Sequence, residues 1–240
     1  MSPSAPDRAA RLAALIAKPF AHRGLHGGGR VENSRAAFEA AIAAGHGIEL
    51  DVQGSADGEA IVFHDYELER LAEGAGALRT LGAAELARIR LRGTQETIPA
   101  LTEILALIAG QAPLLIEVKS PGRRAAQLCR AVRAALAGYA GPVAVMSFNP
   151  EIGHWFAGNA PDILRGLVVT EQGKGWRGPI ERRLALWWAR PDFLAYDVRD
   201  LPSRFAAASG LPVLTWTVRS QDDRVRAQHA DQIIYERFPL

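Results

Sequence analysis

The chain has 240 residues, 48% of them hydrophobic and 22% charged, which suits one globular domain with a sizeable core and excludes wholesale disorder. Its formal net charge is only +2 and the arginines are scattered singly, so no basic stripe suited to tracking a nucleic-acid backbone is present. A single cysteine, Cys129, excludes an intrachain disulfide and a thiolate metal cluster; in the amphipathic stretch AAQLCRAVRAAL it reads as an inert, packed helix residue.

The N-terminal stretch MSPSAPDRAARLAALIAKPF carries Asp7 and no long apolar run, so it lacks the core of a signal peptide. No segment approaches the roughly 18 apolar residues of a membrane span. A cytoplasmic location and no stable membrane insertion are therefore expected.

Short apolar runs then recur along the chain: PFAH at 19–22, GIELDV at 47–52, PLLIEVK at 113–119 and PVAVMSF at 142–148. The series continues with ILRGLVV at 163–169, DFLAYDV at 192–198, PVLTWTV at 212–218 and QIIYE at 232–236. Between them lie stretches of helical period, among them SRAAFEAAIAAG with a Ser34 cap and a Gly45 stop, PALTEILALIAG and RRAAQLCRAVRAAL. Eight strands alternating with helices predict a closed parallel (β/α)₈ barrel, a TIM barrel, as a single domain over 1–240. Residues 66–98 interrupt the alternation with polar, helix-like sequence and read as a small insertion after the second-strand hairpin.

The chemistry concentrates on two strands. Glu49 and Asp51 stand two apart in GIELDV, so both carboxylates share one face while Ile48, Leu50 and Val52 share the other. If the apolar set packs on helices, the carboxylates point into the barrel. Two buried carboxylates side by side repel and lose hydration, which salt bridges to Arg or Lys, or a divalent cation, can offset. In PLLIEVK, Leu115, Glu117 and Lys119 share one face, placing a third carboxylate near a strand's C-terminal end, where barrel active sites lie. Glu49, Asp51 and Glu117, completed by water and substrate oxygens, suit Mg²⁺ or Ca²⁺ better than zinc.

A two-residue turn at Asp57-Gly58 predicts a hairpin that sets Asp51 directly across from His64, a register that a bulge at Gly54 shifts by one. His22 ends the first strand, just before Arg23. Two histidines facing a metal can serve as acid and base near neutral pH. His26, His46, His154 and His229 fall in loops or helices without carboxylate partners and read as solvated or structural. Arg23 and Lys119 could clamp a phosphate or neutralise a neighbouring carboxylate.

Six strings, AHRG at 21–24, EN at 32–33, ELD at 49–51, VFHD at 62–65, EVK at 117–119 and WTV at 216–218, resemble, in their order along nearly the whole chain, the glycerophosphodiester phosphodiesterase family. ETIPALTEIL and MSFNP fit as well. The resemblance implies a TIM barrel with a metal on Glu49, Asp51 and Glu117 and catalytic histidines His22 and His64. It also implies phosphate contacts from Arg23 and Lys119, a site loop holding Glu32 and Asn33, and an apolar wall from Trp216 beside the glycerol or alcohol group. The implied reaction is attack on phosphorus by a neighbouring glycerol hydroxyl, deprotonated by one histidine, while the other protonates the leaving alcohol. A cyclic phosphate is then opened by water, giving glycerol phosphate. One departure stands near the C-terminus, where Tyr235 and Glu236 replace the family's Thr-Asp pair. A lysophospholipase D-type reaction shares these motifs, and a catalytically silent phosphodiester-binding barrel is expected to lose a histidine or a ligand; all are present.

Overall fold

The computed structural model describes residues 5–120, 125–175 and 177–236. Its strands, in chain order, are β1 (Phe20–Ala21), β2 (Gly47–Gly54), β3 (Ala60–Val62), β4 (Leu114–Val118), β5 (Val143–Ser147), β6 (Leu164–Val169), β7 (Phe193–Asp197), β8 (Val213–Val218) and β9 (Gln232–Tyr235). All but β3 pair in parallel in the ring β1-β9-β8-β7-β6-β5-β4-β2, which the β1–β2 pairing closes. The barrel is an eight-stranded TIM barrel, and every one of the eight predicted apolar runs supplies one of its strands. β3 lies outside the ring, antiparallel to β2.

The helices are α1 (Ala5–Leu15), α2 (Arg35–Ala43), α3 (Ala83–Leu86), α4 (Leu101–Ile108), α5 (Ala125–Ala135), α6 (Pro150–Asn159), α7 (Gly178–Ala189), α8 (Arg204–Ser209) and α9 (Gln221–Arg226). α2 begins where expected: the Ser34 side chain accepts a hydrogen bond from the Ala37 amide, satisfying one of the helix's unpaired first-turn donors. The two arginines ahead of α5, Arg123 and Arg124, fall outside the described residues.

Strand alternation divides the apolar residues into two cores. Ile48, Leu50, Val52, Leu114, Ile116 and Val118 face outward onto Phe38, Ile104 and Val132 of the helices. Phe20, Leu115, Met146, Phe193, Leu214 and Ile234 fill the interior. Room for the two phenylalanines comes from glycine, since a Cβ at Gly47 or Gly166 would sit 2.6 Å or 2.4 Å from a ring carbon of Phe20 or Phe193. Leu15 of α1 joins this interior core, and Arg8 ties α1 to Asp192 at 2.5 Å just ahead of β7. The N-terminal end of the barrel is thus plugged with hydrocarbon, leaving the opposite end for chemistry.

The insertion departs from its helix-like reading. Residues 66–98 hold only the four-residue α3 and a 3₁₀ turn at Leu78–Thr80, stitched by isolated bridges such as Ala72↔Leu91. Glycines at 74, 76, 82 and 93 break any longer helix. Leu68, Leu71, Leu78, Leu86, Leu91 and Ile98 nonetheless close a small core over Ile61 and Phe63.

The hairpin register also differs from expectation. Val52 pairs with Val62 and Gly54 with Ala60, and the Phe63 amide donates to the Asp51 carbonyl, so Asp51 faces Phe63 rather than His64. The turn has three residues, 56–58. Gly58 adopts φ +93° and its amide donates to the Ser55 carbonyl, a type I turn followed by a left-handed residue, which moves the register by one.

Candidate active site

At the C-terminal end of the barrel, Glu49 and Asp51 of β2 lie beside Glu117 of β4, Asp51 and Glu117 being direct partners in the parallel register. One carboxylate oxygen from each of the three lies within 4.8 Å of the others. Asp51 is 1% exposed and takes 2.9 Å and 3.2 Å hydrogen bonds with Asn33 through its side chain and amide. Lys119 places Nζ 3.2 Å from Asp51 and 3.0 Å from Glu117, while Arg23 Nε lies 3.3 Å from Asp51.

Glu49 is treated differently. Its Oε2 accepts the Arg23 amide at 2.9 Å, but its Oε1 is buried without a hydrogen-bond partner. Burial, and then the charges of Asp51 and Glu117, push the Glu49 carboxyl well above its ordinary range. Glu117 is also raised, by burial against the pull of Lys119. Burial would raise Asp51 too, but Lys119 and Arg23 outweigh it and keep that carboxyl low. Two cations thus face three carboxylates, and the uncompensated oxygen is on Glu49. A hard divalent cation with oxygen ligands fits this donor set.

The loop after β1 is bent to serve the cluster. Arg23 and Asn33 both take left-handed backbone conformations, φ 56° and 57°, which cost a residue with a side chain about 1 kcal/mol or more and persist only where the surroundings hold them. That bend points the Arg23 amide at Glu49. Glu32 does not line the cavity. It holds Arg23 Nη1 at 2.7 Å and Arg70 at 2.8 Å, and these two cations overcome its burial and lower its pKa.

Each histidine has a carboxylate on its Nδ1 side, hydrogen-bonded at His64 and at ion-pair distance at His22. His22 has Nδ1 3.4 Å from Glu236 and Nε2 4.0 Å from Glu49. His64 has Nδ1 2.6 Å from Asp65, which Arg70 braces. A carboxylate at Nδ1 favours the tautomer that leaves Nε2 to exchange protons. Burial lowers both pKa values, against opposing pulls from Glu236 on His22 and Asp51 on His64.

His22, Arg23, Glu49, His64, Glu117, Lys119 and Trp216 line one cavity of about 300 Å³. Trp216 donates Nε1 to the Ala195 carbonyl at 2.9 Å and meets Phe148 edge-on at 5.4 Å, so two aromatic rings in contact give the otherwise charged cavity an apolar patch. A larger cleft, about 990 Å³, opens beside α6 and shares Phe148, but holds neither the histidines nor the three carboxylates.

The sequence profile of the glycerophosphoryl diester phosphodiesterase family matches residues 22–238. The chain belongs to this family. Among solved family structures, an Oleispira antarctica phosphodiesterase in complex with the product sn-glycerol-3-phosphate is similar at 26% identity and a TM-score of 0.80, covering 92% of this chain and 94% of that one. A Bacillus altitudinis glycerophosphodiester phosphodiesterase is 36% identical over 111 residues, 43% of this chain and 45% of its own length. The Bos taurus glycerophosphodiester phosphodiesterase 1 is 24% identical over 80% of this chain and 69% of its own length.

Two residues that the sequence reading left out stand in this family member's site. Glu236, noted only as a departure at the C-terminus, is the partner of His22; Arg219 holds it at 2.7 Å, and the pull of His22 and then Arg219 keeps it below the ordinary carboxylate range. His26 is buried with Nε2 3.7 Å from the same Glu236, so it does face a carboxylate. Tyr235, the other member of the departing pair, bonds His46 Nδ1 at 2.5 Å and pairs with Ala21 of β1. His154 stacks on Trp188, and burial pushes the Cys129 thiol up to about 12, as befits an inert residue.

Proposed function

We propose that this chain hydrolyses glycerophosphodiesters to glycerol 3-phosphate and a free alcohol, aided by Mg²⁺ or Ca²⁺ held on Glu49, Asp51 and Glu117. The observation that carries this reading is the trio of carboxylates beside two histidines, with one buried carboxylate oxygen left uncompensated. When bound, the cation supplies positive charge to the phosphate and to the attacking oxygen. Arg23 and Lys119 add two donors at the phosphate, and the Trp216 and Phe148 rings wall the glycerol or headgroup side. One of His22 and His64 takes the proton of the substrate's own hydroxyl as it attacks phosphorus, and the other gives a proton to the departing alcohol. The roles then exchange as water opens the cyclic phosphate. Asn33, Glu32, Asp65 and Glu236 hold these groups in place.

The chain is proposed to act in the cytoplasm as a single domain, with 66–98 as its insertion. Among the described residues no helix is long and apolar enough to cross a membrane.

The test is product analysis with glycerophosphocholine and Mg²⁺ or Ca²⁺. Glycerol phosphate and choline in equal amounts are expected, whereas choline phosphate and glycerol would contradict the assigned bond cleavage. A diester lacking the hydroxyl next to the phosphate should turn over orders of magnitude more slowly, because the intramolecular nucleophile and its high effective concentration are lost. Comparable rates for the two diesters would instead assign the attack to water.

A further inference from the structure

On α7, Ile180, Leu184 and Trp187 recur at i, i+4 and i+7, which places them in one line along the helix. They are 56%, 60% and 68% exposed, half of the six large hydrophobic side chains that stand in water among the described residues. Core packing does not explain them, since α7 turns Ala185, Leu186 and Ala189 inward toward Leu167 and Leu194. Amphipathic helices normally put charge on their outer face.

The charges around the line are biased. The exposed charged residues from Lys174 to Arg190 are Lys174, Arg177, Glu181, Arg183 and Arg190, so cations outnumber the one acid. Arg183 lies on the α8 side of the apolar line, whereas Arg190, the left-handed cap that ends α7, lines the cleft beside α6. A groove of about 690 Å³ between α7 and α8 brings Arg183 beside Arg182 and Arg204. Its acids are already engaged: Glu171 accepts from Tyr196 and Ser203 and pairs with Arg182 at 3.1 Å, and Asp200 accepts the Glu171 amide.

We propose that this face of α7 docks on an anionic phospholipid membrane, with Ile180, Leu184 and Trp187 in the interface and Arg183 and Arg204 among the headgroups. A hydrophobic line flanked by arginines and ending in tryptophan matches the layered chemistry of that surface, where indole rings settle at headgroup depth and cations meet lipid phosphate. A second copy of the chain fits less well. A two-fold interface built on this line would set the same arginine-flanked surface against itself, and like charges oppose that contact. The docking is independent of the hydrolase reading and is measured without it.

The test is sedimentation of the purified full chain with phosphatidylcholine vesicles, with and without phosphatidylglycerol. Partitioning about tenfold stronger onto the phosphatidylglycerol vesicles is expected, weakening as salt is raised. The triple variant Ile180→Ser, Leu184→Ser, Trp187→Ser and the double variant Arg183→Glu, Arg204→Glu should each lose about tenfold of that binding while keeping the wild-type melting temperature. Wild-type chain that stays in the supernatant, or variants that sediment as well as wild type, would overturn the proposal. So would a wild-type dimer in light scattering that the triple variant splits to monomers.

Discussion

Two acidic clusters sit at the same end of this barrel, and they are built to opposite purposes. On the β6–β7 side, Asp197 is clasped by Arg199 and Thr170, Glu171 by Tyr196, Ser203 and Arg182, and Asp200 by Thr170, Gln172 and a backbone amide. Burial would raise Asp197 and Glu171, yet these partners outweigh it and both stay below their ordinary pKa. On the β2–β4 side, Glu49 and Glu117 are raised and Glu49 Oε1 has no partner. Carboxylates at a strand end are therefore not enough to mark a cation site. What distinguishes the two clusters is whether the protein itself completes the charge and hydrogen-bond balance.

That distinction predicts the largest mutational contrast. Glu49→Gln, Asp51→Asn or Glu117→Gln should each cut turnover by about 10³-fold or more while the barrel still folds, because the cation's contribution to transition-state charge is lost. Glu171→Gln, which breaks only a completed network, should leave turnover within about threefold and cost about 1 kcal/mol of stability. Steady-state rates and denaturant unfolding on the four variants measure both. Equal activity losses in the two clusters would erase the contrast.

The histidines come next. His22→Ala and His64→Ala should each lower kcat by on the order of 10² to 10⁴ with little change in stability. Glu236→Gln should lower kcat by about tenfold with KM little changed, since it acts only by orienting His22. A histidine variant that unfolds yet keeps its specific activity would make that histidine structural.

The smallest effect is a pH dependence on the outer brace of the site. Burial would raise Asp65, but hydrogen bonds from Arg70 and His64 outweigh it and hold the carboxyl down at about 2. A carboxyl depressed in the folded state adds stability above its unfolded pKa and loses it as pH falls through the folded value. The stability difference between wild type and Asp65→Asn should thus be present above pH 4 and vanish as pH falls toward 2. Its size, about 1 kcal/mol, is that of a pair open to solvent. Chemical denaturation across that pH range reads it, and a constant difference would remove Asp65 from the acid dependence.

Much of this was written in local pattern. Period-2 alternation put Glu49 and Asp51 on one face, and the same alternation in PLLIEVK brought Glu117 and Lys119 alongside, so the carboxylate trio needed only strand geometry to be foreseen. Ser34 and Gly45 bounded α2 for similarly local reasons. Glu236 was not legible as the partner of His22, because the two meet only when β9 pairs with β1 and closes the ring. His26 was missed for the same reason. The hairpin misread came from counting two turn residues where the backbone uses three. The core of 66–98 was hidden because its leucines follow neither a helical nor a strand period.

The most direct test of the account is cation binding by metal-stripped protein, followed as the shift in melting temperature on titration with Mg²⁺ or Ca²⁺. Binding to the folded state alone stabilises it in proportion to the logarithm of occupancy, so a saturable rise is expected for wild type and for Glu171→Gln. Glu49→Gln should show little or no rise, and wild-type turnover should stop in excess chelator and return with the cation. A rise undiminished in Glu49→Gln, or full turnover in chelator, would contradict the assignment of the β2–β4 carboxylates as the cation site.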